Sequence, residues 1–117
     1  MNLINNYQKG FEDWRKYNED TTGTKEQYIC DEVFQITTYD DCLSNEIGND
    51  IKKVMNIIFD KQNYAFINEN KENYKFFIYI CNLLSDNEMI DWGTSIRGCW
   101  LTSEGEKLLG FLNKQEK

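Results

Sequence analysis

The chain has 117 residues and a formal net charge of −7, and it contains neither histidine nor proline. Hydrophobic residues make up 40% of it and aromatic residues 15%, which is too apolar for a disordered acidic tail and predicts a single globular domain over residues 1–117. The acidity argues against nucleic acid as a partner, because phosphates attract basic surfaces, and equally against an anionic membrane surface.

The sequence carries no recognisable targeting or membrane signal. Residues 1–6 lack the basic start and apolar core of a signal peptide, and no apolar run approaches the roughly 18 residues of a membrane-spanning helix. We therefore expect a cytoplasmic protein. In that reducing compartment the four cysteines are expected to be reduced and buried as small hydrophobic side chains, namely Cys30, Cys42, Cys81 and Cys99.

The first two predicted elements differ in clarity. Residues 2–18 predict an amphipathic helix, because apolar residues recur at spacings of three and four: Ile4, Tyr7, Phe11, Trp14 and Tyr17. Residues 24–39 fit two structures. Thr24 and Gln27 have the spacing of a capping box, which favours a helix. The β-branched and aromatic residues that follow leave a strand at 31–38 as the alternative.

The clearest helix is predicted over residues 41–60. Its apolar residues form one stripe that should face the core, namely Leu43, Ile47, Ile51, Val54, Met55 and Ile58. Asp40 or Asp41 is placed to cap the first turn and to interact favourably with the helix dipole. Gly48, in the interior, is expected to weaken the helix by about 1 kcal/mol relative to alanine.

Two further helices are predicted in the second half of the chain. Residues 71–84 should form a central helix with a broad apolar surface, made of Tyr74, Phe76, Phe77, Ile78, Tyr79, Ile80, Cys81, Leu83 and Leu84. The last helix covers residues 103–113 and starts at Thr102 or Ser103, and Ser103 with Glu106 fits a capping box. Its buried side chains are predicted to be Leu108, Leu109, Phe111 and Leu112.

A short β-hairpin is predicted between these helices, over residues 89–101. Trp92 and Trp100 should cover the core, and Arg97 should pair with an acid such as Asp91. An exposed hairpin rim that contacts a partner is the alternative. The elements together predict a mainly α domain of about four helices with a short β-hairpin near the C-terminus. An α+β fold with a strand at 31–38 is the alternative.

Residues suited to catalysis are scarce. Without histidine, a serine or cysteine nucleophile lacks its commonest activating base, and zinc lacks its commonest ligand. The cysteines lack the paired spacing of structural zinc sites, the acids match no calcium loop, and no Gly-rich phosphate loop occurs. The adjacent carboxylates Asp40 and Asp41 precede a helix and indicate a cap rather than an acid–base pair. We therefore predict a protein that is not an enzyme and uses no metal or cofactor.

Nearly all of the charge imbalance lies in one window. Nine acidic residues and a single base, Lys25, occur between Glu19 and Asp50, so this window alone carries a net charge of −8. A surface of one sign attracts a basic partner at the cost of self-repulsion, whereas a merely solvated face is the alternative. The predicted partner-binding residues are Asp31, Glu32, Tyr39, Asp40, Asp41, Glu46 and Asp50. Tyr39 is either an aromatic anchor among these acids or a core residue.

Two stretches resemble a known group of proteins. The run Thr37-Thr38-Tyr39-Asp40 with the helix after it, and the run Trp92-Gly93-Thr94-Ser95-Ile96-Arg97-Gly98, are similar to bacterial immunity proteins of contact-dependent growth-inhibition systems. The resemblance implies a cytoplasmic protein that binds and neutralises one cognate toxin domain, usually a nuclease. It transfers no specific binding residue to this chain.

Two other functions remain open on the sequence. One is an acidic inhibitor of the phage type, which mimics nucleic acid and blocks a host nuclease. The other is a winged-helix-like structural or regulatory protein, suggested by the order helix, hairpin, helix. The hairpin carries a single base, Arg97, which argues against a wing that reads DNA. A toxin gene immediately upstream would favour the immunity protein over both.

Overall fold

The computed structural model describes residues 7–18 and 22–114. Within them the chain forms six α-helices, namely α1 (Tyr7–Tyr17), α2 (Lys25–Tyr28), α3 (Asp41–Phe59), α4 (Asn63–Glu69), α5 (Lys71–Asp86) and α6 (Ser103–Asn113). Two short antiparallel strands, β1 (Ile90–Asp91) and β2 (Trp100–Leu101), pair Ile90 with Leu101 and Asp91 with Trp100. The predicted mainly α fold with a hairpin near the C-terminus is confirmed, but the helices outnumber the predicted four.

A hydrophobic core lies between the helices and the hairpin. Its largest fully buried side chains are Phe11, Phe77, Ile29, Ile51, Met55, Ile80, Leu84 and Leu108. At one end, the rings of Tyr7, Phe11, Tyr28 and Phe111 pack with centroid separations of 5.7–6.0 Å and join α1, α2 and α6. Across residues 7–18 and 22–114, every helix is too short or too polar to serve as a membrane span.

Helix α1 confirms the predicted N-terminal helix over its described part. Tyr7 and Phe11 are buried and Trp14 packs partly against the core, as their spacing predicts. Ile4 lies outside the described residues. Tyr17 does not extend the buried stripe, because it lies at the exposed end of the helix.

The segment 24–39 begins as a helix, and the capping box is confirmed. Thr24 Oγ1 accepts a hydrogen bond from the Gln27 amide at 3.0 Å, and Gln27 Oε1 accepts one from the Thr24 amide at 2.9 Å. Helix α2 then widens into a π-helical turn over Ile29–Val33. The expected helix is therefore correct for the first part of the segment only.

The second part of this segment is an irregular loop, so the alternative strand at 31–38 is wrong. Gln35 adopts a left-handed backbone with φ 54°, which ends the π turn. The Ile36 amide then donates to the Cys30 carbonyl at 2.9 Å, and Phe34 is buried. Of the residues that suggested a strand, Val33, Phe34 and Ile36 pack against the core and fix the loop there.

Helix α3 follows its prediction closely. Asp40 is its N-cap, because Oδ1 accepts a hydrogen bond from the Cys42 amide at 2.8 Å. The apolar stripe is buried at Ile51, Val54, Met55 and Ile58, with Ile47 partly buried. Leu43 was placed wrongly in this stripe: it is exposed, and the neighbouring Ser44 takes the buried position.

Helix α4 was not predicted. It is short, its N-cap Gln62 makes no side-chain capping bond, and Asn70 ends it while capping α5. The start of α4 therefore carries no capping signal, and Asn70 is the only side-chain cap at its boundaries. It is held by tertiary contacts, since Ile67 is buried and Phe66 packs against the rings of Phe76 and Phe77.

Helices α5 and α6 confirm the central and C-terminal predictions, with three corrections. Tyr74 and Tyr79 are exposed, so the apolar surface of α5 is narrower than expected. Thr102 alone caps α6, since its Oγ1 accepts from the Gly105 amide at 3.0 Å. The predicted Ser103–Glu106 capping box is therefore wrong by one residue. The α6 residues predicted to be buried are so, namely Leu108, Leu109, Phe111 and Leu112.

The hairpin is shorter and more open than predicted. A 3₁₀ turn over Ile96–Gly98 separates the two strands. Trp92 is 39% exposed and Trp100 52% exposed, and neither is among the side chains that pack against the core. Arg97 does not pair with Asp91: its Nε lies 3.5 Å from Ser95 Oγ, whereas the Asp91 carboxylate accepts from the Trp92 amide. Arg97 and Asp91 thus each form a hydrogen bond with a residue one or two positions away rather than with each other.

Candidate partner-binding surface

Tyr39 projects fully into solvent from the loop before α3. Its relative exposure is 100%, which excludes the core role that the sequence left open. The loop around it is held on both sides: Thr38 Oγ1 lies 3.2 Å from the Asp40 carbonyl oxygen and 2.5 Å from Ser44 Oγ. A large aromatic ring is thus displayed on a fixed loop beside the exposed carboxylates of Asp40 and Asp41.

Asp31 belongs to the same surface although it lies ten positions before Asp41 in the sequence. Ser44 Oγ donates to Asp31 Oδ1 at 3.3 Å, which ties the π turn to the first turn of α3. Burial raises the pKa of the Asp31 carboxyl, the Ser44 hydrogen bond lowers it, and the charge of Asp41 raises it again. The last effect shows that Asp31 and Asp41 lie close enough to repel each other. We call Asp31, Tyr39, Asp40 and Asp41 the Tyr39 surface.

A depression of about 270 Å³ opens beside these residues. Its walls are formed by Asp31, Gln35, Ile36, Thr37 and Thr38. A carboxylate at the wall of a polar depression fits the guanidinium of an arginine, whose planar donors match carboxylate oxygens.

Glu46 and Asp50 form a second acidic pair on α3. Asp50 follows Asp41 by nine residues, which rotates it about half a turn around the helix. Glu46 contributes to the raised pKa of Asp50, so these two carboxylates interact with each other. The fold therefore brings Asp31, Asp40 and Asp41 together and places the Glu46–Asp50 pair on another side of α3. Their role in binding stays a prediction.

Glu32 faces away from the Tyr39 surface. It lines a cavity of about 1070 Å³ together with Tyr7, Tyr28 and residues of the hairpin region. After burial, the charge of Glu32 is the main cause that raises the pKa of the Tyr28 hydroxyl. Adjacent acids in the sequence, Asp31 and Glu32, thus point to different surroundings.

Lys25, the only base in the acidic window, does not neutralise this surface. It is buried, and its Nζ donates to the carbonyls of Phe111 at 2.9 Å and Lys114 at 2.8 Å. The ammonium also lies 4.7 Å from the centroid of the Phe111 ring. It therefore caps the C-terminal end of α6, where the helix dipole favours a positive charge. Lys25 therefore does not offset the charge of Asp40 and Asp41, whereas Glu26 in the same window pairs with Lys52 at 3.6 Å.

The residues that hold this surface were not found from the sequence. Ser44 binds both Asp31 and Thr38, and Gln35 ends the π turn that presents Asp31. The one available signal was a serine in the buried stripe of α3, where an apolar residue would be expected. No three His, Cys, Asp or Glu side chains in the described part of the chain converge on a metal position.

Asp50 leads to a prediction on pH dependence. Burial raises the pKa of its carboxyl above the usual 3.8, Lys53 lowers it and Glu46 raises it. The fold thus favours the protonated form, so the contribution of Asp50 to stability is full below the unfolded pKa and is lost as the pH rises through the folded pKa. We expect Asp50→Asn to raise the free energy of unfolding at about pH 7 and to leave it unchanged at about pH 3.

Urea denaturation at the two pH values measures this effect. Asp86→Asn is the matched control, because Asp86 is an exposed aspartate at the end of α5. An Asp50→Asn gain of equal size at both pH values would show that desolvation of the charge is not its cause.

Comparison with known proteins finds no matching family, no matching curated protein and no matching solved structure. The function is therefore argued from the residues of this surface.

Proposed function

We propose that the protein is an immunity protein that binds and neutralises a cognate toxin domain, a nuclease with a basic cleft, through the Tyr39 surface. One observation carries the proposal: a fully exposed tyrosine stands beside Asp40 and Asp41, and Lys25, the only base between Glu19 and Asp50, is buried under α6. The catalytic cleft of a nuclease must attract phosphates, so it offers the basic groups that such a surface attracts.

The binding mode follows from the side chains present. Tyr39 has few rotatable bonds and a large apolar ring, so it buries area at low entropic cost and can stack on an arginine of the partner. A second arginine would enter the depression beside Asp31 and meet its carboxylate. Asp40 and Asp41 would strengthen the field at the centre, whereas Glu46 and Asp50 would act at the rim and affect mainly the association rate.

The first experiment identifies the partner by its effect. The chain is co-expressed with the toxin domain encoded directly upstream of its gene, and growth of the cells is measured. Rescue of growth and a stable complex between the purified proteins are expected. If the neighbouring toxin is not neutralised but an unrelated basic nuclease is bound in competition with DNA, the acidic mimic of nucleic acid becomes the better interpretation.

The second experiment tests the surface itself. Tyr39→Ala is expected to weaken binding by about 2 kcal/mol or more, mainly through faster dissociation. Asp40→Asn with Asp41→Asn is expected to slow association at low salt and to reduce the salt dependence. Asparagine caps a helix as well as aspartate does, so α3 should stay folded while its charge is lost. Stopped-flow kinetics at several salt concentrations measures both effects.

Matched controls come from α5, away from the acidic window. Tyr79→Ala removes another exposed tyrosine, and Glu72→Gln removes another exposed carboxylate. Both should bind as the wild type does. Glu46→Lys with Asp50→Lys should slow association with little change in dissociation. If the Tyr39 surface variants neutralise the toxin as well as the wild type does, this surface is only solvated and the proposal fails.

A further inference from the structure

Two buried thiols lie side by side at a distance from the Tyr39 surface. The Sγ atoms of Cys81, on α5, and Cys99, just before β2, are 3.9 Å apart. The two cysteines are 18 positions apart in sequence and form no spacing motif. Cys30, which is also buried, has no such neighbour among its described contacts: its Sγ lies 3.9 Å from the Ile36 carbonyl oxygen. The close pair is therefore a product of the fold.

The pair can be reached from one side. A groove of about 610 Å³ has Cys99 in its lining, together with the exposed rings of Phe59, Tyr64 and Trp100. Cys99 retains 5% exposure, whereas Cys81 has none. A small reagent in the groove would thus meet Cys99 first and find Cys81 behind it.

The surroundings of Cys99 favour its ionised form. Asn63 Nδ2 lies 3.8 Å from Cys99 Sγ and also donates to the carbonyls of Arg97 and Cys99, both at 3.1 Å. Because both carbonyl oxygens accept hydrogen bonds, they require the Nδ2 end of the Asn63 amide to point towards them, and the same end therefore faces the Cys99 sulfur. The hydrogen bond with Cys81 lowers the pKa of Cys99, burial raises it, and Asn63 lowers it by a smaller amount; the net direction is down. The same bond and burial both raise the pKa of Cys81. Cys99 is therefore the thiol of the pair that we expect to react first, because it is the more accessible one and the thiolate is the reactive form.

We propose that Cys81 and Cys99 are a reversible dithiol–disulfide site that hydrogen peroxide oxidises through the groove. The Cys99 thiolate attacks one peroxide oxygen, the O–O bond breaks, and hydroxide leaves to become water, so Cys99 becomes a sulfenic acid. The Cys81 sulfur then attacks the Cys99 sulfur, the S–O bond breaks, and the hydroxyl leaves as water with the Cys81 proton. The two thiols lose two electrons in total, and one peroxide is reduced to two waters.

Formation of the Cys81–Cys99 disulfide needs only local movement. The sulfur atoms must approach from 3.9 Å to about 2.05 Å, a change that two side chains and a two-residue strand can share. The disulfide would tie the hairpin to α5 and close the loop between residues 81 and 99. Because such a cross-link restricts the unfolded chain, oxidation is expected to raise the melting temperature by about 5 °C or more.

The test uses the full chain and hydrogen peroxide. After treatment, free thiols are alkylated in denaturant, and the digested protein is mapped by mass spectrometry. We expect a cross-linked peptide pair containing Cys81 and Cys99, which dithiothreitol reverses, while Cys30 remains a free thiol. The sequence prediction that all four cysteines are buried is wrong for Cys42, which is exposed at the start of α3. Cys42→Ser removes this thiol, so that links between two molecules do not obscure the result.

Two variants separate the roles of the thiols. Cys81→Ser should leave a sulfenic acid on Cys99 that dimedone labels, and Cys99→Ser should leave Cys81 unoxidised. If either variant does not fold, the peptide map of the oxidised Cys42→Ser protein still shows whether Cys81 and Cys99 are cross-linked. Oxidation of Cys81 and Cys99 no faster than that of Cys30, or cross-links that join other pairs, would overturn the proposal.

Discussion

Replacing Gly48 by alanine is expected to lower the free energy of unfolding by about 3 kcal/mol, although alanine is the better helix former. Gly48 is buried where α3 crosses α2, and a Cβ at this position would lie 2.1 Å from the Glu26 carbonyl oxygen. It would also lie 2.5 Å from the carbonyl carbon of Glu26. These atoms belong to the backbone, so they cannot yield as the tip of a side chain would, and the two helices must separate.

Gly110→Ala is the matched control for this experiment. Gly110 is an exposed interior residue of α6, and a Cβ there would meet no atom within 4 Å. The substitution should therefore stabilise the protein by up to about 1 kcal/mol, as expected for alanine in a helix. Chemical denaturation of both variants measures the two opposite effects. A Gly48→Ala protein as stable as the Gly110→Ala protein would mean that α2 and α3 are not in close contact.

Gly48 also shows where prediction from the sequence succeeds and where it stops. The stripe of α3, its cap at Asp40 and the capping box at Thr24 were predicted because each depends on residues within a few positions of one another. The sequence indicated that Gly48 weakens the helix, which is true of an isolated helix. Its actual role depends on the backbone of Glu26, which periodicity within α3 cannot show.

The same limit applies to the candidate site. The distribution of acidic residues along the sequence indicated the negative window between Glu19 and Asp50 and showed that Tyr39 lies within it. The contact between Asp31 and the first turn of α3 was not evident, because it depends on the π turn and on Ser44. Periodicity also placed Glu46 and Asp50 on α3 without showing that they lie on another side of it from Asp41. The charge pattern therefore predicted the region, and only the fold showed that its acids fall into three groups: the Tyr39 surface, the Glu46–Asp50 pair, and Glu32.

Lys25→Met is expected to lower the free energy of unfolding by about 2 kcal/mol. The side chain of methionine fills a similar volume against the ring of Phe111, so the main loss is the ammonium group. Without it, the buried carbonyl oxygen of Phe111 and the partly buried one of Lys114 lose a donor. The last turn of α6 also loses the positive charge that interacts favourably with its dipole. Denaturation in urea measures the change.

Lys75→Met is the matched control, because Lys75 is an exposed residue of α5. Both variants make the protein more negative by the same amount, so a difference in their stability reports the burial of Lys25 and not the net charge. Once a basic partner is identified, both should also associate with it at similar rates, because the ammonium of Lys25 does not face the Tyr39 surface. If Lys25→Met leaves the stability unchanged and accelerates association more than Lys75→Met does, Lys25 lies at the acidic surface and partly neutralises it.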